Sequence, residues 1–134
     1  MQTTIPGWMS RTELLLGAES ISNLINSNVL VVGLGGVGGI CAEMIVRAGV
    51  GKMTIVDADT VEASNRNRQI PALVSTENAL KSDVLSARLL DINPDLKLTA
   101  IARYVREEIT NEILESDSFD YVVDCIDTLS PKVF

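Results

Sequence analysis

The sequence predicts an α/β fold, a Rossmann-like, doubly wound, mostly parallel sheet with helices on both faces. Short apolar, β-branched runs alternate along the chain with segments of helical periodicity, the pattern left by strand–helix–strand crossovers. The first run, residues 29–32, is apolar at every position, as a strand buried on both faces must be. Glycines follow it at once, with Gly33, Gly35, Gly36 and Gly38 fitting G-x-G-x-x-G. That spacing turns a strand sharply into a helix.

Residues 1–27 read as an N-terminal helical arm, with helical pieces over 11–16 and 17–26. Ile21, Leu24 and Ile25 fall on one stripe of the second piece. Residues 28–134 read as a nucleotide-binding α/β domain. After the glycines a helix should run to about Ala48 with Ile40, Met44 and Ile45 turned inward. A second strand covers 52–57, and a polar segment, 59–69, interrupts the pattern. A longer helix is expected from about Thr76 to Ile92, with Leu85, Leu89 and Ile92 at helical spacing and Asn93-Pro94 to end it. Residues 96–102 read as a third strand, 110–114 as a short helix and 119–124 as a fourth strand. Ser130-Pro131 is a helix opening, a hydroxyl cap followed by proline at the first helical position. Only Lys132, Val133 and Phe134 follow it, too few for a stable helix. The expectation is therefore a fold truncated after the fourth strand, with its C-terminal half missing.

A chain of 134 residues suffices for one domain with a real core. Its net charge of -7, with no histidine, repels phosphate backbones, so any polyanion site must be a local basic cluster. Cys41 and Cys125 show no metal or disulfide spacing and read as small buried thiols. The N-terminus has no signal-peptide pattern, and the apolar run 29–40 is too glycine-broken and too short to span a bilayer. A soluble, cytoplasmic protein with no membrane partner is expected.

The glycine loop brings an anion close to the backbone, and the helix behind it offers unpaired N–H groups and positive dipole. Asp57, at the end of the next strand, stands where a carboxylate accepts hydrogen bonds from a ribose hydroxyl. To this point NAD and ATP fit equally. Downstream come Asp59, Asn65, Arg68 and Gln69, then Lys81 near the start of a helix. Asp124-Cys125-Ile126-Asp127 closes the fourth strand. If the order is doubly wound, that strand lies beside the first and Asp127 sits at the carboxyl edge near the glycine loop. Taken singly, Arg68 and Lys81 read as solvated surface charges. Taken together, two cations and an extra carboxylate suit a triphosphate with Mg²⁺ better than a dinucleotide.

As a set these motifs, running from Arg11 to Lys132, resemble the adenylating superfamily of MoeB, ThiF, HesA and the ubiquitin-activating enzymes. The resemblance implies that Asp57 holds the ribose, that Asn65, Arg68 and Lys81 hold the phosphates, and that Asp127 binds Mg²⁺. Asp59 and Gln69 complete the implied nucleotide set. Arg11 matches an arginine that reaches the partner subunit's ATP in the superfamily's homodimers. The runs 65–70, 91–94 and 124–132 are similar to a branch of dehydratases acting on threonylcarbamoyladenosine in tRNA. Activators of ubiquitin-like sulfur-carrier proteins usually have leucine at Arg66 and lack Pro131-Lys132. Trp8, Asn78 and Leu80 depart from the pattern, standing where arginine, glycine, and proline or alanine are usual.

The implied chemistry is attack of a substrate carboxylate on the α-phosphate of ATP, giving an acyl-adenylate and pyrophosphate. A carboxylate with a pKa of roughly 3.5–4 needs no general base. The barrier is repulsion between anions, which Arg68, Lys81, Arg11 and a cation at Asp127 would offset. In the dehydratases the activated threonylcarbamoyl carboxyl is then displaced internally to close a ring. The rival readings are adenylation of a carrier protein's C-terminal glycine, or a nucleotide-binding fragment with no turnover.

Overall fold

The computed structural model describes residues 4–127. A four-stranded parallel sheet has the order β3-β2-β1-β4, with β1 at Asn28–Val32, β2 at Lys52–Val56, β3 at Lys97–Ile101 and β4 at Tyr121–Asp124. The fourth strand therefore crosses back to pair with the first, as the doubly wound reading requires.

Alternation along β1 divides its side chains between two cores. Val29 and Val31 join Met53 and Ile55 of β2 on one face. Against them pack helices α3 (Gly38–Ala48) and α4 (Lys81–Ile92) through Ala42, Val46, Leu85 and Leu89. Leu30 and Val32 look the other way with Val56, onto Ile113 of α5 (Glu107–Glu115). Each such side chain contributes about 1.5–3 kcal/mol on burial, so helices are held on both faces by one strand's two-residue period. A charge at fully buried Val31 would break this arrangement. Two further helices precede the sheet, α1 at Ser10–Leu16 and α2 at Ala18–Ile25. They are anchored by Ile21 and Met9, both buried.

The described structure corrects two expectations. Ile40 and Met44 are half-exposed, and α3 instead buries Ala42, Glu43 and Val46, with only Ile45 partly inward. The first turn of α3 lies so close to the sheet that small residues must face it, and this fixes the rotation of the whole helix. The helix expected from Thr76 begins at Lys81. Before it come a 3₁₀ turn, Val74–Thr76, and a bridge between Thr60 and Leu80. Asn78 stands at φ 72, in the left-handed region that no helix contains. Smaller differences affect α5 and β1, which are longer than predicted, and β2, β3 and β4, which are shorter. Ser130-Pro131 lies outside the described residues. No helix among the described residues is long and apolar enough to cross a membrane.

Glu43 binds α3 to α4. Its buried carboxylate accepts a hydrogen bond from Arg88 Nε of α4 and, at 3.3 Å, one from Arg47 Nε of its own helix. The Arg88 guanidinium holds the carboxyl below the ordinary 4.5 although burial pushes the other way, with Arg47 reinforcing it. A depressed carboxylate contributes stability that is present above its unfolded pKa and lost as pH falls through the folded one. Glu43→Gln should therefore cost about 1–2 kcal/mol near neutral pH, since both arginines are half-exposed and screened. The deficit should shrink as pH falls below the ordinary 4.5 and through the lowered folded-state pKa. Urea titrations of the two proteins across that range measure it, and a deficit independent of pH would place the cost in packing.

Candidate nucleotide site

The strand order reverses between β1 and β4, so a crevice opens at the carboxyl ends of these strands, where α/β sheets receive ligands. Two glycines shape its floor. Gly33, at φ 93, has no room for a side chain, because a Cβ there would lie 2.7 Å from the Cys125 carbonyl oxygen. A Cβ on Gly38 would lie 1.5 Å from the Gly33 carbonyl oxygen. The glycine loop is thus pressed between the end of β4 and the first turn of α3. The neighbouring positions admit the segment after β2. Gln69 Nε2 would lie 3.5 Å from a Cβ on Gly35, and Arg68 Cγ 3.6 Å from one on Gly36. The structure therefore brings Gly33, Gly35, Gly36 and Gly38 together with Arg68 and Gln69.

Asp57 braces this floor. Its Oδ2 accepts from the Leu34 N–H at 2.8 Å and its Oδ1 from the Asp59 N–H at 2.7 Å. Each oxygen keeps a further lone pair for a ribose hydroxyl, so the turn-forming and ligand-binding readings of Asp57 are compatible. Buried Asn65 organises the 3₁₀ turn Ala63–Asn67, its Oδ1 accepting from the Glu62 N–H at 2.8 Å. From its backbone oxygen it positions the N–H groups of Arg68 and Gln69 at 3.2 and 2.9 Å. Arg68 donates to the Ser64 carbonyl at 3.2 Å and to Asn67 Oδ1 at 2.8 Å, leaving its charge without a carboxylate among the described residues. Gln69 is buried, and among the described residues its Oε1 has no hydrogen-bond partner. An unmet acceptor of this kind costs about 1–3 kcal/mol unless something donates to it.

Lys81 is placed by a short antiparallel ladder. Val61 N–H donates to Ala79 O at 2.8 Å, Asn78 N–H to Val61 O at 2.8 Å and Lys81 N–H to Asp59 O at 3.0 Å. Asn78 is left-handed, at φ 72, a conformation that asparagine tolerates best after glycine, the residue that the resemblance leads one to expect there. Leu80, at φ -64, holds the angle that proline would fix. The Lys81 side chain is only 7% exposed, yet among the described residues its Nζ finds a single carboxylate, Asp59 Oδ2, at 4.0 Å. The adjacent Ser82 hydroxyl is also buried and has no hydrogen-bond partner among the described residues. Sequence reading missed it, its one signal being its place after Lys81.

The Asp59 carboxyl is pushed above the ordinary 3.8, first by burial, then by Asp57, with Asp127 and Glu62 adding and Lys81 opposing. Asp57, Asp59 and Asp127 therefore share one field, which a hard divalent cation would relax. No group of three metal-ligating side chains exists among the described residues. The donors present suit Mg²⁺, which takes one or two carboxylates and fills its shell with water and phosphate oxygens. Arg11 is exposed on α1 and has no hydrogen bond or ion pair to any of these residues. A cavity of about 310 Å³ bordered by Met9, Asn26, Lys52 and Lys97 includes none of these site residues.

Known proteins share this architecture. Escherichia coli tRNA N6-threonylcarbamoyladenosine dehydratase, TcdA, solved in complex with ATP, superposes with a TM-score of 0.90 at 34% identity. The match covers 97% of this chain and 55% of that one. The tRNA threonylcarbamoyladenosine dehydratase of Bacillus subtilis is 42% identical over 124 residues, 92% of this chain and 48% of that protein. The sulfur carrier protein ThiS adenylyltransferase of E. coli is 37% identical over 119 residues, 87% of this chain and 46% of that protein. The chain spans about half the length of the curated relatives it matches. The ThiF family model matches residues 9–134, a span holding the glycine loop, Asp57, Asn65, Arg68, Gln69, Lys81 and Asp127, and the chain belongs to that family.

Proposed function

We propose that the whole protein is an ATP-dependent adenylating enzyme. Its substrate is the carboxyl of the threonylcarbamoyl group on a tRNA adenosine, and a cyclising dehydration follows. The observation that carries the reading is Lys81, a buried cation whose one ion-pair partner among the described residues stands at 4.0 Å. It stands on the same sheet edge as the glycine loop and an Arg68 without a carboxylate partner. Desolvated positive charge aimed at a polyanion is what transfer to the α-phosphate requires.

In this reading the glycine-loop amides and the α3 N-terminus receive the phosphates, Asp57 the ribose, and Asn65, Arg68, Gln69 and Lys81 the α-phosphate and its neighbours. Asp127, with Asp59 beside it, would hold Mg²⁺, which supplies charge neutralisation between phosphates when bound. The carboxylate arrives ionised and attacks phosphorus, pyrophosphate leaves, and the attached AMP makes the carbonyl open to displacement from within the substrate. No protein nucleophile is needed, and none is assigned to Cys41 or Cys125.

The names of the relatives support tRNA as substrate, and so does Arg66, where sulfur-carrier activators usually have leucine. Such a substrate places the reaction in the cytoplasm. The 37% identity to the ThiS adenylyltransferase favours the second reading, adenylation of a ubiquitin-like carrier's C-terminal glycine. A homodimer in which the arm, residues 1–27, carries Arg11 to the partner's ATP fits exposed Leu14, Leu15, Val37, Ile40 and Met44.

Pyrophosphate release by the whole protein with ATP–Mg²⁺ and threonylcarbamoyl-tRNA tests the proposal. Release only with a ubiquitin-like carrier would select the second reading. NAD binding as tight as ATP binding would remove both.

A further inference from the structure

We propose that the loop between β3 and α5 contacts the substrate RNA, with Tyr104 stacking on a base and Arg103, Arg106 and Arg66 meeting phosphates. This rests on the tRNA reading above and answers a difficulty within it, since a chain of net charge -7 can hold RNA only through a local cationic surface.

The cations are unevenly committed. Arg47, Lys52, Lys81, Arg88 and Arg103 each have a carboxylate within reach. Among the described residues Arg11, Arg66, Arg68, Lys97 and Arg106 have none. Lys97 opens β3 and so belongs to the opposite edge, and Arg11 lies on α1. Arg66, Arg68 and Arg106 all lie on segments that leave the carboxyl ends of β2 and β3. These segments depart side by side, because Asp57 N–H donates to Ile101 O at 3.1 Å. Arg68 belongs to the proposed nucleotide site, while Arg66 and Arg106 are exposed, Arg66 donating from Nε only to the Ala63 carbonyl at 3.4 Å among the described residues.

Tyr104 stands between Arg103 and Arg106 with 63% of its surface exposed. An exposed aromatic ring flanked in sequence by arginines is the combination on which unstacked RNA bases are held. Arg103 is steadied by Glu112, whose two oxygens accept from Nη1 at 3.2 Å each, and its Nε and Nη2 make no hydrogen bond among the described residues. Glu107 and Glu108 occupy the first turn of α5 and repel phosphate, which confines the contact to the loop. A protein partner would call for apolar neighbours around the ring. Its sequence neighbours Arg103 and Arg106 are charged, and Val105 turns into the core.

The test is binding of the whole protein to threonylcarbamoyl-tRNA over a series of salt concentrations. Tyr104→Ala should weaken binding roughly 5- to 150-fold, with Tyr104→Phe restoring it. Arg106→Gln and Arg66→Leu should each weaken binding and reduce the slope of log K against log salt by about 0.7–0.9. Glu108→Gln should tighten it. ATP affinity should stay at the wild-type value in all of them. Wild-type tRNA affinity and slope in Tyr104→Ala and Arg106→Gln would overturn the proposal and leave the tRNA reading intact. A wild-type protein that ignores tRNA yet releases pyrophosphate with a ubiquitin-like carrier would overturn both.

Discussion

Replacing Lys81 by methionine should slow pyrophosphate release by about 10²–10³-fold, the loss that follows removal of one preorganised charge-stabilising group. The same substitution should raise the melting temperature. Lys81 is buried, and its one counter-charge among the described residues stands at 4.0 Å on a carboxylate more than half exposed. At that distance the attraction is at most about 4 kcal/mol before solvent screening, whereas an ammonium taken out of water costs several kcal/mol. Methionine keeps the reach of the side chain and fills the same channel without the charge. The gain should depend on pH. Lys81 is the one group holding the Asp59 carboxyl down against burial and its acidic neighbours, so in the variant the folded-state pKa of Asp59 rises further. A raised carboxyl penalises the fold only once it ionises, leaving no penalty below its unfolded pKa near the ordinary 3.8 and the full penalty above the folded value. The stability advantage should thus be largest in acid and shrink as pH rises through the folded pKa. Thermal melts across that range and a steady-state pyrophosphate assay decide it. A lower melting temperature with near-normal turnover would make Lys81 a structural residue.

The parts of this protein legible in its sequence are those set by local pattern. Residues 29–32 can only be an interior strand, and the glycines after them allow one kind of turn. The acidic residue at the end of β2 and the return of β4 to β1's side then follow from crossover rules. Legibility fails where a contact is tertiary. Helix α3 carries apolar residues around its circumference, Ile40, Cys41, Met44, Ile45 and Val46, so periodicity could not say which stripe faces inward. The close approach at Gly38 could. Glu43 reads as a surface charge until Arg88 of another helix is found on it. The pattern over 76–92 is helical enough, but the Thr60–Leu80 bridge and the left-handed Asn78 claim its first residues. Within the site, residue types named Asp57, Arg68, Gln69 and Lys81. Only the fold reveals that Asp57 also ties Leu34 to Asp59 and that Gln69 buries an acceptor with nothing donating to it.

Gly38→Ala should destabilise the protein by about 3 kcal/mol and abolish ATP binding at concentrations that saturate the wild type. The direction is diagnostic. Glycine to alanine in a helix ordinarily stabilises by about 0.5–1 kcal/mol, and Gly38 is the first residue of α3. Here the added methyl would lie 1.5 Å from the Gly33 carbonyl oxygen and 3.1 Å from Cys125 Cβ. Neither neighbour can retreat. Gly33 is itself pressed against the Cys125 carbonyl, and Cys125 N–H is bound to Val32 O at 2.8 Å. Relief must come from moving the first turn of α3 off the sheet, which puts the cost at the upper end of the usual overpacking range of about 1–3 kcal/mol and turns the loop amides away from an approaching phosphate. Gly36→Ala is the control. A Cβ there meets only Arg68 carbon atoms, at 3.6 and 3.8 Å, and Arg68 Nε at 3.9 Å, all ordinary contacts. Its melting temperature should match the wild type while its ATP affinity falls, because the methyl stands between the backbone and an approaching phosphate. Melting curves and ATP titrations of both variants separate the two reasons for glycine in one loop. If Gly38→Ala melts and binds as the wild type does, the loop has slack and no longer accounts for the rotation of α3.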